Sequence, residues 1–397
     1  MVLVATIANG AMKGEVLRVS GSTEVDRTLS GSGNWLLFVS YPMMIASIVL
    51  SESLVVSSLA PVAIGILFAI VFLVMLVSSF SVVRHAERLA SLLGEPYGTL
   101  ILTLSVVIIE VALIASVMLH GENNPTLARD TVFSVLMIVL NGVVGFSLLA
   151  GGIRHFEQSY NLRGANAYLG VLIPLSLLGL VLPRLADSAP GGRVSDMLGI
   201  YLMISTTLLY IIFLGIQTTR HRDLFRGGDT SETRGAEVQD NAPIKWRCAR
   251  SGLLLIATMI PIVVLAETLA EVVDHAIEKT QVPASLGGAL VAILVLSPEG
   301  ISALKAARSD KLQRSINISL GAALSTIGLT IPCVLGISIF LDQGVVLGLN
   351  WLDVFLLSLT LMVSIVTFGS GRTSVLQGAV HLLLFATYVV SMFDNAA

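Results

Sequence analysis

Two carboxylates stand where an apolar chain has reason to avoid them. Glu110 lies near the middle of Thr99–Leu119, a run of 21 residues apolar and long enough to cross a bilayer as a helix. Glu299 lies in a second such run, Ser285–Leu304. An ionised side chain at the bilayer centre costs at least about 2.5–3.5 kcal/mol on insertion scales, so an acid there is first of all a functional-site candidate. The structural alternative, for either one alone, is a protonated glutamate hydrogen-bonded to a neighbouring helix. As a pair they make a hard-oxygen site suited to Ca2+, which takes about 6–8 oxygens at roughly 2.3–2.6 Å. In a low-dielectric pocket desolvation and mutual repulsion forbid both from staying ionised without a cation. They bind protons or a metal ion, and exchange of Ca2+ for H+ becomes competition at one site.

Further oxygens flank the pair. Ser134, Asn141, Ser319 and Thr326 lie on the segments next to the glutamate runs, and Ser297 lies two residues before Glu299. They are candidate secondary ligands; for the hydroxyls, a bond back to their own helix is an equal expectation. Pro298 cannot donate a backbone hydrogen bond, which predicts local loosening beside Glu299. His85 and His275 stand at matching places and titrate near neutrality, so they are candidates for proton entry, against the commoner helix-end histidine. Glu87, 23 residues before Glu110, is a candidate for passing ions inward. Glu267, Glu271, Asp274 and Glu278 share one helical face, either to concentrate cations or as a solvated helix end. Arg129 and Asp130 read as interface anchors.

The glutamates sit in an internal repeat. VVRHA at 82–86 answers VVDHA at 272–276, and the spacings Gly98 to Glu110 and Gly287 to Glu299 are both 12. Farther on, ARDTVFSVLMIVLNG (128–142) answers LQRSINISLGAALSTIG (312–328); aligned on Arg129 and Arg314, Ser134 falls on Ser319 and Asn141 on Thr326. Each unit holds five spans, an odd number, so the copies must cross the membrane in opposite directions. Inverted repeats holding a substrate near the midplane are a transporter architecture.

The elements that position these residues are membrane helices. The chain of 397 residues is 55% hydrophobic and 12% charged, about half the charge of an ordinary soluble domain. Mean hydropathy is +0.88, which agrees. The expected fold is an all-α polytopic membrane protein with 11 transmembrane helices. Its parts are a cytoplasmic arm (1–34), an extra helix (35–58), a first five-helix repeat (61–217), a cytoplasmic linker (218–250) and a second, inverted repeat (251–393). Alternating the loops puts 19 of the 23 Lys and Arg on the side of the N-terminus and linker. The positive-inside rule makes that side cytoplasmic and places the C-terminus outside. An inner (cytoplasmic) membrane location is expected. Partners are membrane lipid and the transported cations; a net charge of −3 offers no basic face for nucleic acid. Two cysteines, Cys248 in the linker and Cys333 in an apolar run, imply no disulfide framework. No cofactor is expected, and no enzyme: HExxH and GxSxG motifs are missing where they could act.

The blocks HAERLASLLGEPYGTLILTLSVVIIEVALI, RDTVFSVLMIVLNGVVG, LVLSPEGISALKAARSDKLQRSINISLG and STIGLTIP resemble the bacterial ChaA-type Ca2+/H+ antiporters of the cation/Ca2+ exchanger superfamily. The resemblance implies an alternating-access exchanger with Glu110 and Glu299 as its central ion- and proton-binding acids. The wider superfamily often carries Gly-Asn three and four residues before each glutamate, where this chain has Val106-Val107 and Val295-Leu296. The lost asparagine oxygens bear on ion choice, and ChaA-type relatives are associated with Na+ and K+ as well. The leading expectation is Ca2+/H+ antiport, followed by Na+(K+)/H+ antiport, with a cation channel behind both.

Overall fold

The computed structural model describes residues 36–51, 61–93, 97–120, 125–186, 190–220, 224–225, 243–280, 285–342 and 344–394. The expected arm at 1–34 and most of the expected linker lie outside them. So does the side chain of His275.

Helices account for nearly all of the described chain. In chain order they are α1 (Leu37–Ser51), α2 (Pro61–Leu93), α3 (Tyr97–His120), α4 (Leu127–His155), α5 (Leu162–Leu185), α6 (Asp196–Thr219), α7 (Ile244–Thr280), α8 (Ser285–Arg308), α9 (Leu312–Leu341), α10 (Trp351–Thr367) and α11 (Val375–Asp394). Among the described residues eight are long and apolar enough to cross a membrane, and α1, α3 and α10 contribute shorter apolar stretches. α6 shows what such a helix does with its surface. Met197, Ile200, Tyr201, Ile204, Leu208 and Ile211 are all exposed along it, a face that only lipid would cover.

Both glutamate helices pack into the core along part of their surface and keep an exposed face, with Leu104 and Ile108 on α3 and Ile293 and Ile301 on α8. α2, α3, α7 and one face of α8 share one apolar cluster, which includes Val71, Met75, Val106, Ile109, Leu113, Ile262, Leu265 and Leu294. A second cluster takes α4, α5, α6, α9, α10 and α11 together with Ala289, Ala292 and Leu296 of α8. On α8 the two sets interleave at helical spacing, so one helix presents Val291, Leu294 and Val295 to one cluster and the remaining three to the other. Gly288 permits the approach to α4, because a Cβ there would stand 2.7 Å from the Asp130 carbonyl carbon. Val106, Val107, Val295 and Leu296, at the places of the wider family's Gly-Asn, are buried in this packing.

Prolines inside helices leave carbonyls without their usual donor, and neighbours supply one. Pro298 frees the Leu294 carbonyl, which accepts from Ser79 Oγ of α2 at 3.3 Å. α8 therefore stays helical through Pro298, where loosening was expected. Pro261 does the same in α7, and Tyr41 Oη of α1 donates to the Ala257 carbonyl at 3.1 Å.

Four described helices widen into π-turns: α5 at Leu177–Val181, α6 at Ile216–Arg220, and α4 and α9 at comparable places. α4 passes through a π-helical turn at Ile138–Val143 and α9 through another at Thr326–Thr330. Such turns are rare and cluster at functional sites. The residues matched by sequence, Asn141 and Thr326, lie in them.

The connecting segments pair at both ends of the bundle. Gln158–Ser159, after α4, forms a two-stranded antiparallel ladder with Arg372–Thr373, before α11. At the other end Arg193, before α6, bridges Val346, before α10. The α4 connection also closes the end of α8: Gln158 Nε2 donates to the Ala307 carbonyl and to Asp310 Oδ1, each at 2.9 Å.

Candidate functional site

The π-turn of α9 is built around Glu110. Thr326 and Thr330, one turn apart, both donate to Glu110 Oε2, at 3.0 and 2.9 Å. The glutamate is buried, and its other oxygen, Oε1, has no hydrogen-bond partner in the protein. A buried carboxylate with one oxygen doubly satisfied has its other oxygen left to accept a proton or meet a cation.

The other half faces a cavity. A space of about 300 Å3 extends from the linker-side ends of α2, α6 and α9, marked by Glu87, Gln217, Thr218 and Arg314, to Glu299 in α8. Its walls add Thr103 of α3, Tyr168 of α5, Tyr210 of α6, Ser302 of α8 and Ser325 of α9. Glu299 Oε2 is buried without a partner. Glu299 stands on the cavity wall, and Glu110 is buried in α3, which packs against α8.

Phe225 narrows the mouth. Its ring packs edge-on to Tyr168 at 5.3 Å and to Phe213 at 5.8 Å, and Asn317 Nδ2 donates to its carbonyl. Gln217 Nε2 donates to Tyr168 Oη at 2.7 Å in the same wall.

The remaining candidates fall into two groups. Thr326 reaches Glu110, Glu87 lines the cavity, and Ser319 is buried with its Oγ unpartnered. His85 is buried in α2 with Nδ1 unpartnered, outside the cavity wall. Ser297, Ser134 and Asn141 turn elsewhere. Ser297 Oγ donates to the Ile293 carbonyl at 2.5 Å, the back-bond that is the ordinary fate of a helical serine. Ser134 Oγ bonds the Asp130 carbonyl at 2.6 Å and Tyr388 Oη at 2.7 Å. Asn141 Nδ2 donates to Thr360 Oγ1 at 2.8 Å, and its Oδ1 faces His381 Nδ1 at 3.2 Å. Sequence reasoning passed over Thr330, although its four-residue step from Thr326 would have marked it, and also Arg314, Asn317 and His381. Among the described residues no three His, Cys, Asp or Glu gather into a metal cluster. A cation held here would rest on two carboxylates completed by hydroxyls, carbonyls or water.

The sodium/calcium exchanger protein family matches the chain over residues 62–219 and 250–393. The chain belongs to that family. Among similar curated proteins, y4hA of Sinorhizobium fredii (strain NBRC 101917 / NGR234) is 43% identical over 312 residues, covering 78% of this chain and 84% of that one. The sodium-potassium/proton antiporter ChaA of Escherichia coli (strain K12) is 38% identical over 316 residues, covering 80% and 86%. Of solved structures, selenium-substituted YfkE, a Ca2+/H+ antiporter protein, superposes with a TM-score of 0.69 at 19% identity, covering 91% of this chain and 98% of that one. That likeness shows a shared helical fold, and the family match makes the chain a multi-pass membrane transporter.

Proposed function

We propose that this protein is a cation/proton antiporter working by alternating access, with Glu110 and Glu299 as the acids that cation and protons neutralise in turn. The observation that carries it is two carboxylates on membrane helices that pack together, Glu110 buried and Glu299 part-buried on the wall of a cavity that enters from one end of the bundle, each with one buried, unpartnered oxygen. Removing a carboxylate from water costs several kcal/mol even after relaxation. A buried pair without counter-charge must take up protons, and an arriving cation must displace them. Stoichiometric exchange follows from charge balance at a single site.

The rocking body is two inverted five-helix units, α2–α6 and α7–α11, with α1 outside the repeat. Three features support this. The π-turns of α4 and α9, two of four, overlap when Arg129 is aligned on Arg314. The family match divides into two stretches, 62–219 and 250–393. The loop pairings are each other's mirror: α4–α5 with α10–α11 at one end, α9–α10 with α5–α6 at the other. In this reading the cavity mouth, linker and N-terminus are cytoplasmic and the C-terminus outside, which the distribution of Lys and Arg supports, and the membrane is the inner one. Lipid and the transported ions are its partners, and it needs no cofactor.

Ca2+ is the first choice of cargo, because a divalent ion neutralises two carboxylates in one step. Na+ or K+ is the second reading, favoured by the 38% identical E. coli relative named a sodium-potassium/proton antiporter. Purified protein in proteoliposomes with an internal pH dye decides among them. An imposed pH gradient should collapse on addition of the transported cation, and E110Q and E299Q should each abolish the response. Normal exchange in both variants refutes the assignment.

A further inference from the structure

The π-turn of α9 that holds Glu110 is itself held from behind, by Tyr210 of α6. Gly328 stands midway between Thr326 and Thr330 in that turn. Two residues along a helix is about half a turn, so Gly328 faces away from the side on which both threonines bond Glu110. Tyr210 fills that far side. A Cβ at Gly328 would stand 2.7 Å from Tyr210 Cδ2 and 2.8 Å from its Cβ and Cγ. Cβ and Cγ lie at the root of the side chain and cannot swing aside, so anything larger than glycine at 328 would have to part α6 from α9.

Tyr210 is also where the cavity meets the turn. It is buried and lies on the cavity wall, farther from the linker end than the other α6 residues there, Phe213, Leu214, Gln217 and Thr218. On α9 the wall runs from Arg314 to Ser325, and Gly328 lies three residues beyond. One side chain thus touches both the cavity and the back of the turn that furnishes Glu110.

The arrangement recurs at the π-turn of α4, whose Asn141 bonds α10 and α11 instead of an acid. There Gly142 meets the ring of Phe385 of α11, with a Cβ 3.4 Å from Phe385 Cδ2 and Cε2. α6 and α11 are the last helices of the two units proposed above, and each lays an aromatic ring on a glycine in the other unit's widened turn. The fits differ. Phe385 leaves ordinary van der Waals room for a methyl at 142, whereas Tyr210 leaves none at 328. The tight seat is on the turn whose side chains reach an acid.

We propose that Tyr210 is a positioning residue: packed on Gly328, its ring sets the α9 turn so that Thr326 and Thr330 stay on Glu110, which ties the acid's choice between cation and proton to the shape of the cavity. This rests on the antiporter reading above. With the ring withdrawn, the turn relaxes toward α6, the two hydroxyls draw off Glu110, and the proton gains over the cation.

The test is initial-rate antiport in proteoliposomes for Y210L, Y210F, G328A and F385L, each over a range of cation concentrations at two pH values. Y210L takes the ring off the turn. Its KM should rise about tenfold at the lower pH, the effect of one lost donor to a charged group, and the defect should shrink at the higher pH, where protons compete less. Y210F keeps the ring and should keep the wild-type KM. G328A forces ring and turn apart and should show the Y210L signature; this arm serves if Y210L does not fold. Added to T326V/T330V, Y210L should raise KM no further, since the donors through which it acts are gone. F385L removes the other ring and should leave KM and its pH dependence at wild-type values. An unchanged KM in folded, exchanging Y210L or G328A overturns the proposal. So does a defect that is indifferent to pH, adds in full to T326V/T330V, or is shared by F385L. Wild-type protein measured alongside separates the two claims. If it exchanges no cation for protons, the antiporter reading itself has failed.

Discussion

Thr330 offers the most direct check on the site's chemistry. Thr326 and Thr330 converge on the same oxygen of Glu110, at 3.0 and 2.9 Å, in a region closed to water. A hydrogen bond to a charged group is worth about 1.5–3 kcal/mol net. Hydroxyl donors favour the ionised carboxylate, the form a cation requires, so deleting one tips Glu110 toward its proton. T330V keeps the side chain's shape and removes only the donor. At fixed pH its KM for the cation should rise about tenfold, since about 1.4 kcal/mol is a factor of ten. T326V should behave alike. Because both donors share one oxygen, the double variant should rise by less than the product of the two. T330S restores the hydroxyl and should restore most of the affinity. The assay is initial-rate antiport in proteoliposomes over a range of cation concentrations, repeated at higher pH, where proton competition weakens and the T330V defect should shrink. An unchanged KM, or a defect confined to kcat and indifferent to pH, would refute the link between these hydroxyls and the acid's choice of partner.

Other perturbations test the packing and the cavity. G288A puts a methyl 2.7 Å from the Asp130 backbone and should destabilise the α4–α8 contact by about 1–3 kcal/mol, lowering the melting temperature in detergent; G65A, with nothing within 4 Å, should leave it unchanged or slightly raised. Y41F strips the donor from the Ala257 carbonyl beneath Pro261 and should cost about 1 kcal/mol in the same melt, with antiport retained. E87Q removes a charge from the cavity wall; KM should rise about two- to threefold at low ionic strength and return toward wild type in high salt, where screening shortens the reach of that charge.

What the sequence discloses, and what it withholds, divides along a physical line. Glu110 and Glu299 stand out because burying a carboxylate in lipid is costly, and cost is visible residue by residue. The match of Asn141 to Thr326 is read from spacing, and both residues do fall in π-turns. The direction each takes is not legible. Thr326 points to Glu110 and Asn141 to α10 and α11, because the face a helix turns to each neighbour is set by packing between helices. Thr330, one turn beyond Thr326 on the same face, is within reach of spacing alone. The cavity draws Glu87, Tyr168, Gln217, Glu299 and Arg314 from α2, α5, α6, α8 and α9, and no spacing along one segment announces such a meeting. Pro298 misleads because a break is the local outcome, whereas Ser79 on another helix repairs it.

An exchanger must release what it binds, and the inequality of its two acids bears on how. If both glutamates carried a full set of donors and ligands at once, the chamber would hold a cation tightly from either side, and release would limit the cycle. Here Glu110 is furnished by two hydroxyls and sealed, while Glu299 is bare and meets the cavity. A cation arriving from the linker end meets the poorly furnished acid first and leaves past it last, so the weak half of the site is the half that faces the open side. Under the inverted-repeat arrangement proposed above, a motion that exchanges the environments of α3 and α8 exchanges which acid is bare, and with it the side on which release is easy.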